Sequence, residues 1–264
     1  MKSIVFFILL AITFTSTSQN IRVKRNQTVI WNDNNVPTAL DTLILETNST
    51  LILKTDVNLI VGRFIIGENV KILGIGEDGS LGTNYTGSQS RRKHGHGPGA
   101  NGRSGENGSP GGRGYNFTLS TSVFEFGSVL FNTSGGNGGN GGNGEGGGKG
   151  SNGSCDGHSG GAGGNGGNGG NGGRGGNAGK VLISFNEIKR KDGAELGTDI
   201  KWIANGGQGG SRGLRGSGGQ GGNSAKCGLT KQKGGNGGNA GNDGSNGADG
   251  SSYSLSQAEW LKYN

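Results

Sequence analysis

The stretch Gly163–Gly179 reads GGNGGNGGNGGRGGNAG, and its interpretation decides the fold. None of its side chains can bury itself in an ordinary apolar core. Glycine nevertheless makes up 64 of the 264 residues, so the rule that organises this stretch organises much of the chain. Composition of this kind commonly marks flexible linkers or disordered tracts. The preserved phase argues otherwise. Glycine occupies every third position from Gly135 to Gly153, slips at Asp156, and resumes from Gly157 to Gly175. A period of three matches the polyproline-II conformation, which has no internal hydrogen bonds, so its amide groups need partners on neighbouring chains.

Working outward, this stretch belongs to the second of three glycine-rich excursions, at about Gly74–Gly114, Gly135–Gly179 and Gly206–Gly250. Between them lie the β-type segments 115–134 and 180–205. Each excursion divides into two arms at a phase slip, as at Ser154-Cys155-Asp156 or Lys226-Cys227-Gly228-Leu229-Thr230. The simplest topology is a bundle of about six antiparallel polyglycine-II helices. Two glycines per triplet place the second excursion inside the bundle, and mostly one glycine per triplet places Gly99–Gly114 outside. The third face of the inner rods carries a polar ladder of Asn137, Asn140, Asn143, Asn165, Asn168, Asn171, Arg174 and Asn177. Cys155 and Cys227 fall at equivalent turns of successive excursions, and a disulfide between them would staple two hairpin tips. Collagen is disfavoured because only Pro37, Pro98 and Pro110 are present and doubled glycine wastes its side-chain positions.

The GGNGGNGGNGG run, the GxxGxx arms and the cysteine-bearing turns resemble the polyglycine-II bundle proteins of the snow flea antifreeze type. They are also similar to the glycine-rich tip adhesins of phage tail fibres. The resemblance covers about Gly74–Gly250 and implies antiparallel packing of rods, not a shared activity.

Upstream, residues 19–73 have the alternation of β-strands. Leu43/Leu45, Leu51/Leu53 and Leu59/Val61 are inward pairs recurring every eight residues, followed by Phe64/Ile66 and Val70/Ile72. Short alternating strands of this kind predict a β-solenoid or a sandwich-like sheet. The expected fold class is therefore all-β plus polyglycine-II. At the far end, Ser256 and Glu259 have capping-box spacing before Trp260, which predicts a short helix within 251–264.

Residues 1–18 read as a secretory signal peptide: Lys2, an apolar run from Ile4 to Phe14, then small residues. No later stretch approaches the ~20 apolar residues of a spanning helix. In a secreted chain of a eukaryotic host, Asn26, Asn48, Asn84, Asn116, Asn132 and Asn152 head N-x-S/T triplets that would accept glycans. Arg22-Val23-Lys24-Arg25 has the form of a dibasic processing site, or of a basic approach to the first strand. The formal charge of +7 favours polyanionic partners. The basic residues lack the aromatic interleaving of nucleic-acid modules, so an acidic glycan or matrix surface is the expected partner. Arg91, Arg92 and Lys93, with Lys226, Lys231 and Lys233, are the expected contacts.

Catalytic chemistry is not expected. Gly74-Ile75-Gly76-Glu77-Asp78-Gly79 matches a dinucleotide fingerprint, but no helix follows to receive a pyrophosphate. Asp243 and Asp249 lack the aliphatic partners of calcium β-rolls. His94, His96 and His158 form no triad, and Cys155-x-x-His158 gives too few ligands for zinc once Cys155 is oxidised, so neither metal nor cofactor is expected. The functional expectation is a secreted, non-catalytic structural or adhesive protein. An ice-binding protein is the alternative and a flexible extracellular spacer the second.

Overall fold

The computed structural model describes residues 19–88, 96–190, 199–227, 230–232, 236, 239 and 260–262. Residues 1–18, where a signal peptide is expected, lie outside these. The chain is all-β. Strands β1 (Asn20–Val23), β3 (Ala39–Leu45), β5 (Val57–Ile66), β7 (Phe117–Phe126), β9 (Val181–Arg190) and β13 (Trp260–Lys262) line up in that order in one sheet. Strands β2 (Thr28–Trp31), β4 (Thr50–Leu53), β6 (Val70–Leu73), β8 (Val129–Asn132) and β10 (Ile200–Ile203) form the second. Every pairing within these two sheets is parallel. Odd strands on one side and even strands on the other are the winding of a two-sided solenoid, not a sandwich of antiparallel hairpins.

Parallel register stacks like on like. Leu43, Phe64, Phe124 and Ile188 form one column, and Val29, Leu51, Ile72, Phe131 and Trp202 form another. All ten residues of the inward pairs from Leu43 to Ile72 are buried at 1% exposure or less. Phe64 stacks on Phe124 with ring centroids 5.5 Å apart, and Phe131 stacks on Trp202 at 4.7 Å. The corners repeat as well. Asn26, Asn48 and Asn69 adopt φ of 60°, 61° and 55° where each coil bends from one sheet to the other. Asparagine tolerates this left-handed conformation better than most residues. Asn48 Nδ2 donates to Asn26 Oδ1 across 3.2 Å, tying two corners together.

After β6 the coil no longer turns directly back. Residues 74–87 run outward and 97–114 return to β7; 134–153 run outward and 158–179 return to β9; 205–223 run outward again. The expected bundle of antiparallel polyglycine-II helices is corrected here: among the described residues there is no helix, and the order of the chain is that of two parallel sheets. Each excursion is an insertion into one coil of the solenoid. Outgoing arms of successive coils therefore lie parallel, and so do returning arms. Gly76, Gly79 and Gly82 donate to the carbonyls of Ser134, Asn137 and Asn140, and Gly99, Gly102 and Gly105 to Ala162, Asn165 and Asn168. Only outgoing and returning arms oppose one another, as where Gly139 donates to Ser109 and Gly173 to Gly139.

The GGN triplet follows from this layout. In the second outgoing arm, Gly138 N–H donates to Gln208 O in the parallel arm (2.8 Å) and Gly139 N–H to Ser109 O in an antiparallel one (2.9 Å). At the third position, Asn137 N–H donates to Asp78 Oδ1 (2.6 Å) and Asn143 N–H to Asn84 Oδ1 (2.8 Å). Both glycine positions face backbone at contact distance. A Cβ on Gly138 would lie 2.0 Å from Gly173 O, and one on Gly139 would lie 1.9 Å from Ser80 O. The pattern breaks where a neighbour ends. The first outgoing arm peels away at Gly87 (φ 98°), and beyond it Glu145 and Ser151 occupy what would be second-glycine positions. Glu145 is 6% exposed and meets Arg103 Nε at 3.0 Å, while the same guanidinium lies 4.5 Å from the centre of the Tyr85 ring.

The predicted C-terminal helix is also corrected. Trp260–Lys262 is a strand, with Trp260 opposite Ile183 in parallel register. The unpaired edge of β9 offers backbone partners that outweigh the capping-box signal of Ser256 and Glu259, two residues that lie outside the described part of the chain.

Candidate functional site

The ends of the arms farthest from the sheets gather the reactive side chains. Cys155 and Cys227 form a disulfide with Cα atoms 5.2 Å apart, joining the turn of the second excursion to that of the third. At the phase slip of the third excursion, β11 (Ala225–Cys227) pairs antiparallel with β12 (Thr230–Gln232), and Lys226 stands opposite Lys231 in register. Lys226 is exposed. Arg91, Arg92, Lys93 and Lys233 lie outside the described residues, as does His94.

Beside the disulfide, His96 from the first excursion meets Asp156 and His158 from the second. The two imidazoles stack with centroids 4.1 Å apart and planes 8° from parallel. Asp156 Oδ2 lies 3.6 Å from His96 Nε2 and 4.0 Å from His158 Nε2. Local structure explains the convergence. Gly157 takes φ of 99°, a value that favours glycine, so the chain reverses between Asp156 and His158. Ser154 N–H then donates to His158 O at 2.9 Å and closes the turn. On the other side, Ser151 holds the residue after His96: its Oγ accepts from Gly97 N–H (2.7 Å) and donates to Gly97 O (3.0 Å). The Ser154 hydroxyl donates to Asp156 and is the chief reason this carboxyl is held below its usual pKa; the two imidazoles act in the same direction.

The polar ladder has a structural task. Asn137, Asn140 and Asn143 spend Oδ1 on the N–H groups of Gln208, Ser211 and Leu214, and Asn165 Oδ1 accepts from Asn239 N–H. The backbone N–H groups of Asn168 and Asn171 donate to Ser104 Oγ and Asn107 Oδ1. Arg174 and Asn177 are exposed, and their carbonyls accept from Gly111 and Gly114. Among the N-x-S/T asparagines, Asn26, Asn48, Asn84 and Asn152 are exposed, and Asn116 and Asn132 are half-buried. Asn116 Nδ2 donates to Asp56 and its Oδ1 accepts from Lys180 N–H, while Asn132 Oδ1 accepts from Ser134.

Sequence reasoning saw Cys155-x-x-His158 but missed the partnership of His96 with Asp156. The residues stand 60 positions apart, and only the parallel stacking of excursions brings them together. No family model matches the chain, and comparison with curated proteins and with solved structures finds no match either. No helix of the described residues is long and apolar enough to cross a membrane.

Proposed function

We propose that this is a secreted, non-catalytic structural or adhesive protein whose extension presents a basic tip to an extracellular matrix or acidic glycan. The observation that carries this reading is the pairing of Lys226 with Lys231 in the hairpin that leaves the disulfide. Like charges at facing positions of a two-stranded ribbon are unfavourable on their own, and a polyanion bridging them relieves that cost. The lateral bonding of the arms supports a held-out scaffold in preference to a flexible spacer, because a bonded arm transmits position to its tip. The solenoid serves as the base, and a sulfated or uronate-rich chain is the partner class that fits the lysines.

Retention on a heparin-type column tests this. The double variant Lys226→Glu/Lys231→Glu elutes at clearly lower salt than the parent protein, with the disulfide intact in both. Equal retention of the two proteins removes the assignment.

A further inference from the structure

The geometry points to a transition-metal site formed by His96, Asp156 and His158, which binds Zn²⁺ or a similar ion and clips the turn of the first excursion to that of the second. The inference is independent of glycan binding, which rests on Lys226 and Lys231 and on none of these three side chains.

Spacing is the first argument. The donor atoms of the three residues all lie within 4.8 Å of one another. Zinc binds imidazole nitrogen and carboxylate oxygen at about 2.0–2.2 Å, which places neighbouring donors of a tetrahedral site roughly 3.4 Å apart. The two carboxylate–imidazole distances, 3.6 and 4.0 Å, already approach that edge. Stacked 8° from parallel, the two rings hold their in-plane lone pairs side by side, so both exposed imidazoles must swing out of the stack to converge on one ion.

Donor chemistry is the second. Two imidazoles and one carboxylate suit zinc, copper, nickel or cobalt, whereas calcium and magnesium favour sets made of oxygen. Asp156 Oδ2 faces both Nε2 atoms, so a cation there would draw on both imidazoles and the carboxylate together. Three protein ligands leave a fourth position for water or an incoming donor.

Preorganisation is the third. Asp156 follows Cys155 directly, so the disulfide that joins the second and third tips anchors its backbone, and the Ser154 hydroxyl donates to Asp156 Oδ1, leaving Oδ2 toward the imidazoles. His96 is held through Gly97 by Ser151, which is 5% exposed. A bound ion would thus extend the same chain of crosslinks: a metal between the first and second tips, a disulfide between the second and third.

The test uses the full oxidised chain, freed of metal by a chelator and titrated with Zn²⁺ in a calorimeter, with Co²⁺ as a spectroscopic probe. One equivalent is expected to bind, and Co²⁺ is expected to show the intense visible absorption of a tetrahedral centre. His96→Ala and His158→Ala should each weaken binding at least roughly tenfold, since even altering a residue behind a ligand costs that much. Asp156→Asn should weaken it less, and His96→Ala/His158→Ala should abolish it. Circular dichroism and the disulfide should be unchanged in every variant, because these side chains are exposed. Absence of uptake overturns the proposal, and so does uptake that persists undiminished in the double histidine variant. Retention on the glycan column in the presence of chelator separates this outcome from that of the basic tip.

Discussion

The solenoid and its extension solve the same problem in opposite ways. Both stack successive coils in parallel and both satisfy the backbone through neighbours. In the solenoid the space between the sheets is filled by columns such as Leu43–Phe64–Phe124–Ile188. In the extension there is no space to fill: glycine brings one backbone against another from two directions, and the amides of Gly138 and Gly139 point to different arms. One region is held by what its side chains add, the other by what they leave out. Substitutions should therefore have opposite signs of size in the two regions, and this difference can be broken or sharpened experimentally.

The largest effect is expected in the solenoid. Phe64→Ala removes a ring that is fully buried and stacked on Phe124, and should cost about 3–5 kcal/mol in chemical denaturation. In the extension the damaging change is an addition. Gly139→Ala should cost about 1–3 kcal/mol, toward the upper end because the clash is with the Ser80 carbonyl rather than a mobile side chain. Hydrogen exchange should show the loss concentrated in 74–87 and 134–153, with the solenoid amides unaffected. If Gly139→Ala is silent while Phe64→Ala is not, the arms are not in contact as described.

Smaller effects follow at the polar positions. Asn140→Ala deletes one acceptor and leaves the Ser211 N–H to water, for a loss of about 1 kcal/mol or less and faster exchange at Ser211. The smallest effect is at the junction of the two regions. Asp56 accepts from the Arg113 guanidinium at 2.8 and 3.0 Å and from the Asn116 N–H at 2.9 Å. Burial opposes ionisation of Asp56, but these donors outweigh it and hold the carboxyl below its ordinary value. A carboxyl depressed on folding contributes stability above its unfolded pKa of about 3.9 and loses that contribution as the pH falls through the lower folded value. The acid limb of the stability profile should therefore flatten in Asp56→Asn relative to the parent chain.

The residues that show themselves in sequence are those whose period is local. Leu43/Leu45 through Val70/Ile72 alternate as buried strands do, and the structure buries all of them. Pairing Cys155 with Cys227 was legible from equivalent placement in successive excursions, and the disulfide is present. What could not be read was which segments become neighbours. Thr42 pairs with Arg63, but Arg63 pairs with Val123 across a whole excursion, so the parallel winding is hidden by the insertions. The same hidden offset turned a supposed antiparallel bundle into parallel rows, and brought His96 to His158. Trp260 shows the limit from the other side: a capping-box spacing is a local preference, and the open edge of β9 overrules it.

Because each excursion leaves the solenoid after one strand and re-enters at the next, its length is uncoupled from the winding of the coil. Three residues gained in an outgoing arm and three in its return would lengthen the projection without moving a single column of the base. One residue gained alone would rotate every later glycine out of its slot. The architecture thus admits growth only in quanta, with the reach of the tip adjustable in discrete steps while the foundation stays constant.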